Sequence, residues 1–157
     1  MMGKRIVLLQ VLTAMPGELA TVLAGVDKSS SRIQAEANGW SVADVVQHLL
    51  LVEERFQERL QRVVAEERPF LPTIHPSPSE HTRTEPLADL VAEFTQLREQ
   101  TIAYLTSLKA KSWEKTAVHE TEGPVTFHFL VQMIIDHDSD HLNQLQTLTQ
   151  SPIPNLQ

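Results

Sequence analysis

The 157-residue chain contains no cysteine. That excludes disulfide bridges, thiolate nucleophiles and every metal site built on sulfur, so a metal ion here must be held by nitrogen and oxygen donors. The same absence fits a reducing compartment, and the cytoplasm is the expected location. Glycine is scarce, with five residues in the whole chain, and long mixed polar and apolar segments run between the breaks, which favours helices over a sandwich of short strands. Positive charge is in deficit: 13 Lys and Arg stand against 20 Asp and Glu, for a formal net charge of -7. Phosphate backbones and anionic lipid surfaces both need Lys and Arg to neutralise them, so neither nucleic acid nor a membrane is an expected partner. No stretch reads as approaching the roughly 20 apolar residues that cross a bilayer. Lys4-Arg5 followed by Ile6-Val7-Leu8-Leu9 has the start of a leader, but Gln10 interrupts the run and no small-residue cleavage site follows. A mature helix is therefore expected there.

What is present supports one domain spanning residues 1–157, with 41% hydrophobic and 21% charged residues, enough to bury a core. A first helix is expected from about Arg5 to Val26, kinked or restarted at Pro16. Ser29–Ser31 and Asn38-Gly39 mark a connector. Ser41 then reads as an N-cap, with Asp44 completing a capping box and Trp40 and Val45 spaced for a hydrophobic staple. From Val45, apolar residues at 49, 52, 56, 60 and 63 carry a second helix to about Glu66. Arg68–Pro86 holds Pro69, Pro72, Pro76, Pro78 and Pro86, so it can be neither regular helix nor central strand; a connection of this length commonly serves as a lid or binding loop. Pro86 opens a third helix that runs to about Leu108, and Lys109–Lys115 closes that region. Gly123-Pro124 breaks the chain again, and Thr126 caps a last helix to about Leu148 before the Ser151–Pro154 tail. Long amphipathic helices with one long crossover read as an all-α four-helix bundle.

Position separates the seven histidines. In the last helix Leu130, Ile134, His137, His141, Leu145 and Leu148 follow the spacing of a buried stripe. His137 and His141 therefore lie about 40° apart on the helical wheel and one turn apart in height, the geometry that lets two imidazoles reach one ion. His48 falls between Val45 and Val52, on the apolar side of the second helix. Burying three unpaired imidazoles is costly, and one divalent cation would satisfy all three. The alternative is an exposed pair on a solvated face among Asp136, Asp138 and Asp140. His128 is nine residues before His137 and faces away. His75 and His81 lie in the proline-rich segment, from which His75, His81 or Arg83 could reach the site, and His119 lies in the loop before the last helix. Asp44, Asp138 and Gln144 are candidates to hold imidazole N–H groups, although capping, solvation and surface position respectively explain each without that role. Glu53, five residues after His48, is placed on a different face.

The run from Gly39 through Trp40, Ser41, Asp44 and His48 to Leu49 resembles the signature of DinB-like proteins, in which a Trp-Ser cap precedes a helix carrying the first metal histidine. Gly123–Thr126, followed by His137 through His141 to Gln144, is similar to that family's closing helix with its paired histidines. The resemblance covers nearly the whole chain, including the crossover, and extends to YfiT-like metal-dependent hydrolases and to bacterial thiol transferases of the same fold. It implies an up-down-down-up four-helix bundle with His48, His137 and His141 around a divalent metal ion, zinc or nickel. Three protein ligands leave one position open, for water in a hydrolase or for the thiolate of a low-molecular-weight thiol in an S-transferase. The transferase is the preferred reading on this resemblance, with the hydrolase and a non-catalytic metal-binding or interaction module as alternatives. A small-molecule substrate is expected in either enzyme, and a homodimer is an open expectation.

Overall fold

The computed structural model describes residues 2–27, 29–33 and 39–150. Four long helices dominate it: α1 (Met2–Leu23), α2 (Val42–Ala65), α3 (Leu87–Ser107) and α5 (Phe127–Gln150), with a one-turn α4 (Ala110–Trp113) before the last. Three short strands, β1 (Phe70–Leu71), β2 (Thr116–His119) and β3 (Gly123–Thr126), form a small sheet in the order β1-β2-β3. The Ser151–Pro154 tail and Asn38 lie outside the described residues.

Each helix is bounded by local chemistry. Ser41 caps α2: its side chain accepts from the Asp44 N–H, and the Asp44 carboxylate accepts from the Ser41 N–H at 2.9 Å, closing the expected capping box. Pro86 sits immediately before α3. The Thr126 hydroxyl accepts from the Phe129 N–H at 3.1 Å and caps α5. α1 ends at Leu23, and Gly25 takes the positive φ of 86° that follows many helix ends. The chain does not restart at Pro16, which lies inside a continuous α1. Pro16 has no N–H to give to the Leu12 carbonyl one turn earlier, and that carbonyl instead accepts from Arg98 Nη1 at 3.2 Å.

Contacts along the helices fix their directions. Val45, Val46 and Leu49 of α2 share one core cluster with Leu87, Leu90 and Phe94 at the start of α3, while Leu60 and Val63 share the other with Leu105 near its end, so α2 and α3 run parallel, as the long crossover between them allows. Arg5 on α1 bonds the Leu108 carbonyl beyond the end of α3, while Leu12 meets Arg98, so those two are antiparallel. His48 meets His141 while Phe56 meets His137, so α2 and α5 are antiparallel. The bundle is up-down-down-up, with the helices arranged in the cyclic order α1, α3, α2, α5.

The sheet adds to the expected all-helical architecture. β1 pairs parallel with β2 through Phe70–Val118 and Leu71–His119, and β2 pairs antiparallel with β3. Pro124, read as a chain break, sits in edge strand β3, where a missing N–H costs no central ladder bond. The sheet closes one end of the bundle, with Leu71, Ala117 and Val125 turned into the core.

That core has two parts. One gathers Leu8, Leu12, Val52, Phe56, Leu60, Val63, Leu105 and the Phe127–Ile135 face of α5. The other gathers Met15, Leu19, Leu23, Val42–Leu50 residues of α2, Leu90, Phe94 and Leu145. α1 also corrects one expectation. Gly3–Leu23 is long and apolar enough to cross a membrane, because its outer face carries exposed Ile6, Val7 and Val11 as well as its buried face carrying leucines. The buried face, from Leu8 to Leu23, packs into both parts of the core.

Candidate metal centre

Between the two apolar clusters, α2, α3 and α5 contribute polar side chains and α1 the Leu12 carbonyl. α2 begins at the capping box, and its regular turns bring His48 to the buried face at 9% exposure. α5 brings His137 and His141, one turn apart and half-buried, to the same point. His48 Nε2 and His137 Nε2 are 3.0 Å apart. Ring centroids lie 4.7 Å apart for His48–His141 and 4.4 Å apart for His137–His141. One donor nitrogen from each of the three lies within 4.8 Å of the other two.

The surroundings orient these rings. His141 Nδ1 lies 2.8 Å from Gln144 Oε1, so Nδ1 donates to the amide oxygen and Nε2 keeps its lone pair free. Gln144 thus holds an imidazole, as proposed for it, instead of simply filling the helix surface. Trp40 packs beside His48 at 4.9 Å and lies parallel to His141 at 6.2 Å. Phe56 sets its edge against His137 at 5.8 Å. The staple role expected of Trp40 therefore understated it: its ring is a wall of the histidine cluster. Asp44 is used in the capping box.

Burial has the largest effect on the imidazoles. It lowers His48 to about 4, helped by the neighbouring His141, His81 and Arg55. It lowers His137 to about 3, helped by His141, His48 and Arg98. Both rings are thus held neutral at physiological pH, the form that ligates a cation.

One expectation about the acidic neighbours is corrected and one holds. Asp138 is not a solvated residue like exposed Asp136 and Asp140; it is 5% exposed and paired with Arg98. Glu53 does point away from the triad, but into the core, where it meets the other edge of the same guanidinium. Arg98 is fully buried and holds both carboxylates with four bonds of 2.9 to 3.0 Å. Thr101 adds a hydroxyl to Glu53 at 2.8 Å. Burial opposes the charge on Arg98, and the two carboxylates more than compensate, so it stays protonated. Arg98 was not singled out as a functional residue, although its place in the stripe Leu90, Phe94, Arg98, Thr101, Leu105 signals a cation aimed at the core.

The remaining histidines separate as follows. His128 turns away from the triad and places Nδ1 3.0 Å from the Trp113 carbonyl. His119 is buried in β2, where its Nδ1 accepts from the Thr121 and Glu122 N–H groups. His75 is exposed. His81 stands close to the triad, with its ring 6.0 Å from His48.

The donor set fits a cation. Ligand bonds of about 2.0–2.1 Å in a tetrahedral arrangement separate imidazole nitrogens by roughly 3.3 Å, close to the 3.0 Å between His48 and His137. The His48 Nδ1 is buried with no protein partner among the described residues, so the ring is held by its packing and by the Nε2 contact with His137.

A family model described as the DinB superfamily matches residues 12–145. No curated protein matches the chain. Among solved structures, YfiT from Bacillus subtilis is similar over 92% of this chain and 85% of its own, at 19% identity and a TM-score of 0.79. It is described as a probable metal-dependent hydrolase with an unusual four-helix bundle topology, and the likeness establishes the shared fold.

Proposed function

The chain belongs to the DinB superfamily, and on that premise we propose that it is a metal-dependent hydrolase of a small molecule, with His48, His137 and His141 holding one divalent ion, zinc or nickel. The observation that carries this reading is the convergence of three imidazoles, from two antiparallel helices, on one point inside the bundle. When bound by three neutral imidazoles, such an ion supplies Lewis acidity at its remaining position, enough to activate water or polarise a carbonyl near neutral pH. The protein's part is positional. Burial keeps His48 and His137 unprotonated. Gln144 fixes the tautomer of His141, and Trp40 and Phe56 limit access of water to the rings.

S-transfer to or from a small thiol uses the same open position, and the motif resemblance around Trp40–Leu49 and His137–Gln144 is what favours it. A cytoplasmic setting and the lack of nucleic-acid or membrane partners belong to the same reading and rest on composition, no cysteine and a net charge of -7, while a homodimeric assembly rests on the family resemblance.

The test is metal analysis followed by turnover. Purified protein should carry about one equivalent of zinc or nickel, and His48→Ala, His137→Ala and His141→Ala should each lose it. Metal-loaded protein should cleave members of an ester and amide panel without added thiol. Turnover that requires thiol and an electrophile would replace hydrolysis with S-transfer. Unchanged metal content in all three variants would refute the centre.

A further inference from the structure

The proline-rich crossover brings a fourth imidazole to the triad. His81 sets its ring edge-on to Trp40 at 5.0 Å and to His48 at 6.0 Å. Its Nε2 is buried and has no hydrogen-bond partner among the described residues. A buried polar nitrogen left unpaired is costly, and such atoms are rare unless something outside the chain satisfies them.

The segment around His81 is anchored on both sides. Glu80 pairs with Arg55 of α2 at 2.5 Å. The Arg83 N–H donates to Gln47 Oε1 at 2.9 Å, and Gln47 directly precedes His48. Arg32 adds bonds to the carbonyls of Arg83 and Glu85 at 2.9 and 2.7 Å. Both anchors on α2 belong to the helix that carries His48, so the position of His81 is set relative to that ligand. The donor atoms that converge within 4.8 Å nevertheless come from His48, His137 and His141 without His81. His81 thus stands beside the centre and outside the ligand set, with a free nitrogen.

We propose that His81 is a binding residue of this centre, whose Nε2 hydrogen-bonds the small polar group that enters the position left open by the three ligands. The proposal rests on the metal-centre reading above and adds a recognition element to it. It favours small ligands or substrate groups with a lone pair to offer or a proton to share, such as a carboxylate, a carbonyl or a pseudohalide, over purely apolar ones. A merely structural His81 would use only its ring against Trp40, and a phenyl ring could replace it. A recognition role needs the nitrogen.

That difference sets the experiment. Cobalt-loaded full-length protein is titrated with azide and followed by visible absorption. Wild type, His81→Phe and His81→Gln are compared for cobalt content and azide affinity. All three should hold equal cobalt. His81→Phe should bind azide about 10-fold or more weakly, the usual scale for losing a hydrogen bond to a charged group. His81→Gln, whose amide nitrogen can stand near Nε2, should recover most of the affinity. Equal azide affinity in wild type and His81→Phe overturns the proposal, as does azide that leaves the wild-type spectrum unchanged. Loss of cobalt from both variants also overturns it, by making His81 a ligand. Wild type that takes up no cobalt would instead remove the metal centre itself.

Discussion

Replacing Arg98 with methionine tests the polar core directly. The side chain is fully buried, and the two carboxylates it holds are 2% and 5% exposed. Methionine keeps most of the volume and removes the charge, so the effect is electrostatic rather than a cavity. Four charge-assisted hydrogen bonds of 2.9 to 3.0 Å disappear, together with the bond to the Leu12 carbonyl that Pro16 leaves free. Breaking a buried pair by removing one partner costs about 3–5 kcal/mol, because the other is left uncompensated. Here two carboxylates are abandoned, so the upper end of that range applies. A chain of this size loses roughly 2–4 °C in Tm per kcal/mol, which gives a fall of about 10–20 °C. Asp138, which burial already raises to about 6, must then take up its proton to stay buried. Carboxylates with raised folded pKa bind more protons folded than unfolded, so the variant should gain stability as pH falls from 8 towards 5.5. Urea unfolding of wild type and Arg98→Met at several pH values measures both effects. A loss under about 1 kcal/mol, the scale of a surface pair, or a variant that weakens further on acidification over that range, would refute the reasoning.

Three further outcomes follow from the same geometry. Gln144→Leu should leave the fold intact and weaken metal binding about 10- to 100-fold, the usual effect of losing the partner of a ligating imidazole; chelator competition measures it, and unchanged affinity would show that Gln144 does not orient His141. Metal-free protein should lose stability as pH falls below 6.5, because His48 and His137 hold folded values of about 4 and about 3 and so bind fewer protons folded than unfolded. Each contributes up to about 1.4 kcal/mol per pH unit in that window. Asp138, raised by burial to about 6, opposes one of them below that pH; urea midpoints that stay flat between pH 6.5 and 5 would contradict the balance. Ser41→Ala removes the cap of α2 and should cost about 1 kcal/mol by thermal unfolding, with no measurable change indicating that the capping box is redundant.

What could be read along the chain was what neighbours in sequence decide. The capping box of Ser41 and Asp44, the Thr126 cap and the four-residue spacing of His137 and His141 depend on local turns, and all stand in the fold. What could not be read depends on distant partners. Asp138 falls on the same stripe as Val131, Ile134 and Leu145, away from Asp136 and Asp140, but the cation from α3 that pairs with it there lies 40 residues away. β1 is two residues within a proline-rich stretch, and its pairing with Val118 and His119 is set by where α2 and α4 deliver the chain. Pro16 looked like a break because its missing N–H was counted as a loss; the Arg98 donor that takes up the Leu12 carbonyl lies 86 residues away. His81 was one of several loop histidines until two anchors on α2 placed it.

The polar layer between the two apolar clusters explains why one bundle holds both kinds of cluster. A bundle cross-section filled with charge is stable only if every group in it is paired. On one side, Arg98, Glu53, Asp138 and Thr101 satisfy one another completely and tie α1, α2, α3 and α5 together. On the other side, His48, His137 and His141 share a few contacts and leave nitrogens unpaired. The first half makes the second tolerable: His137 and Asp138 are consecutive, so the turn of α5 that presents the imidazole is clamped by the guanidinium on its opposite side. On the proposed reading the histidine cluster must stay open to an ion, and the adjacent closed network supplies the rigidity that an open site lacks.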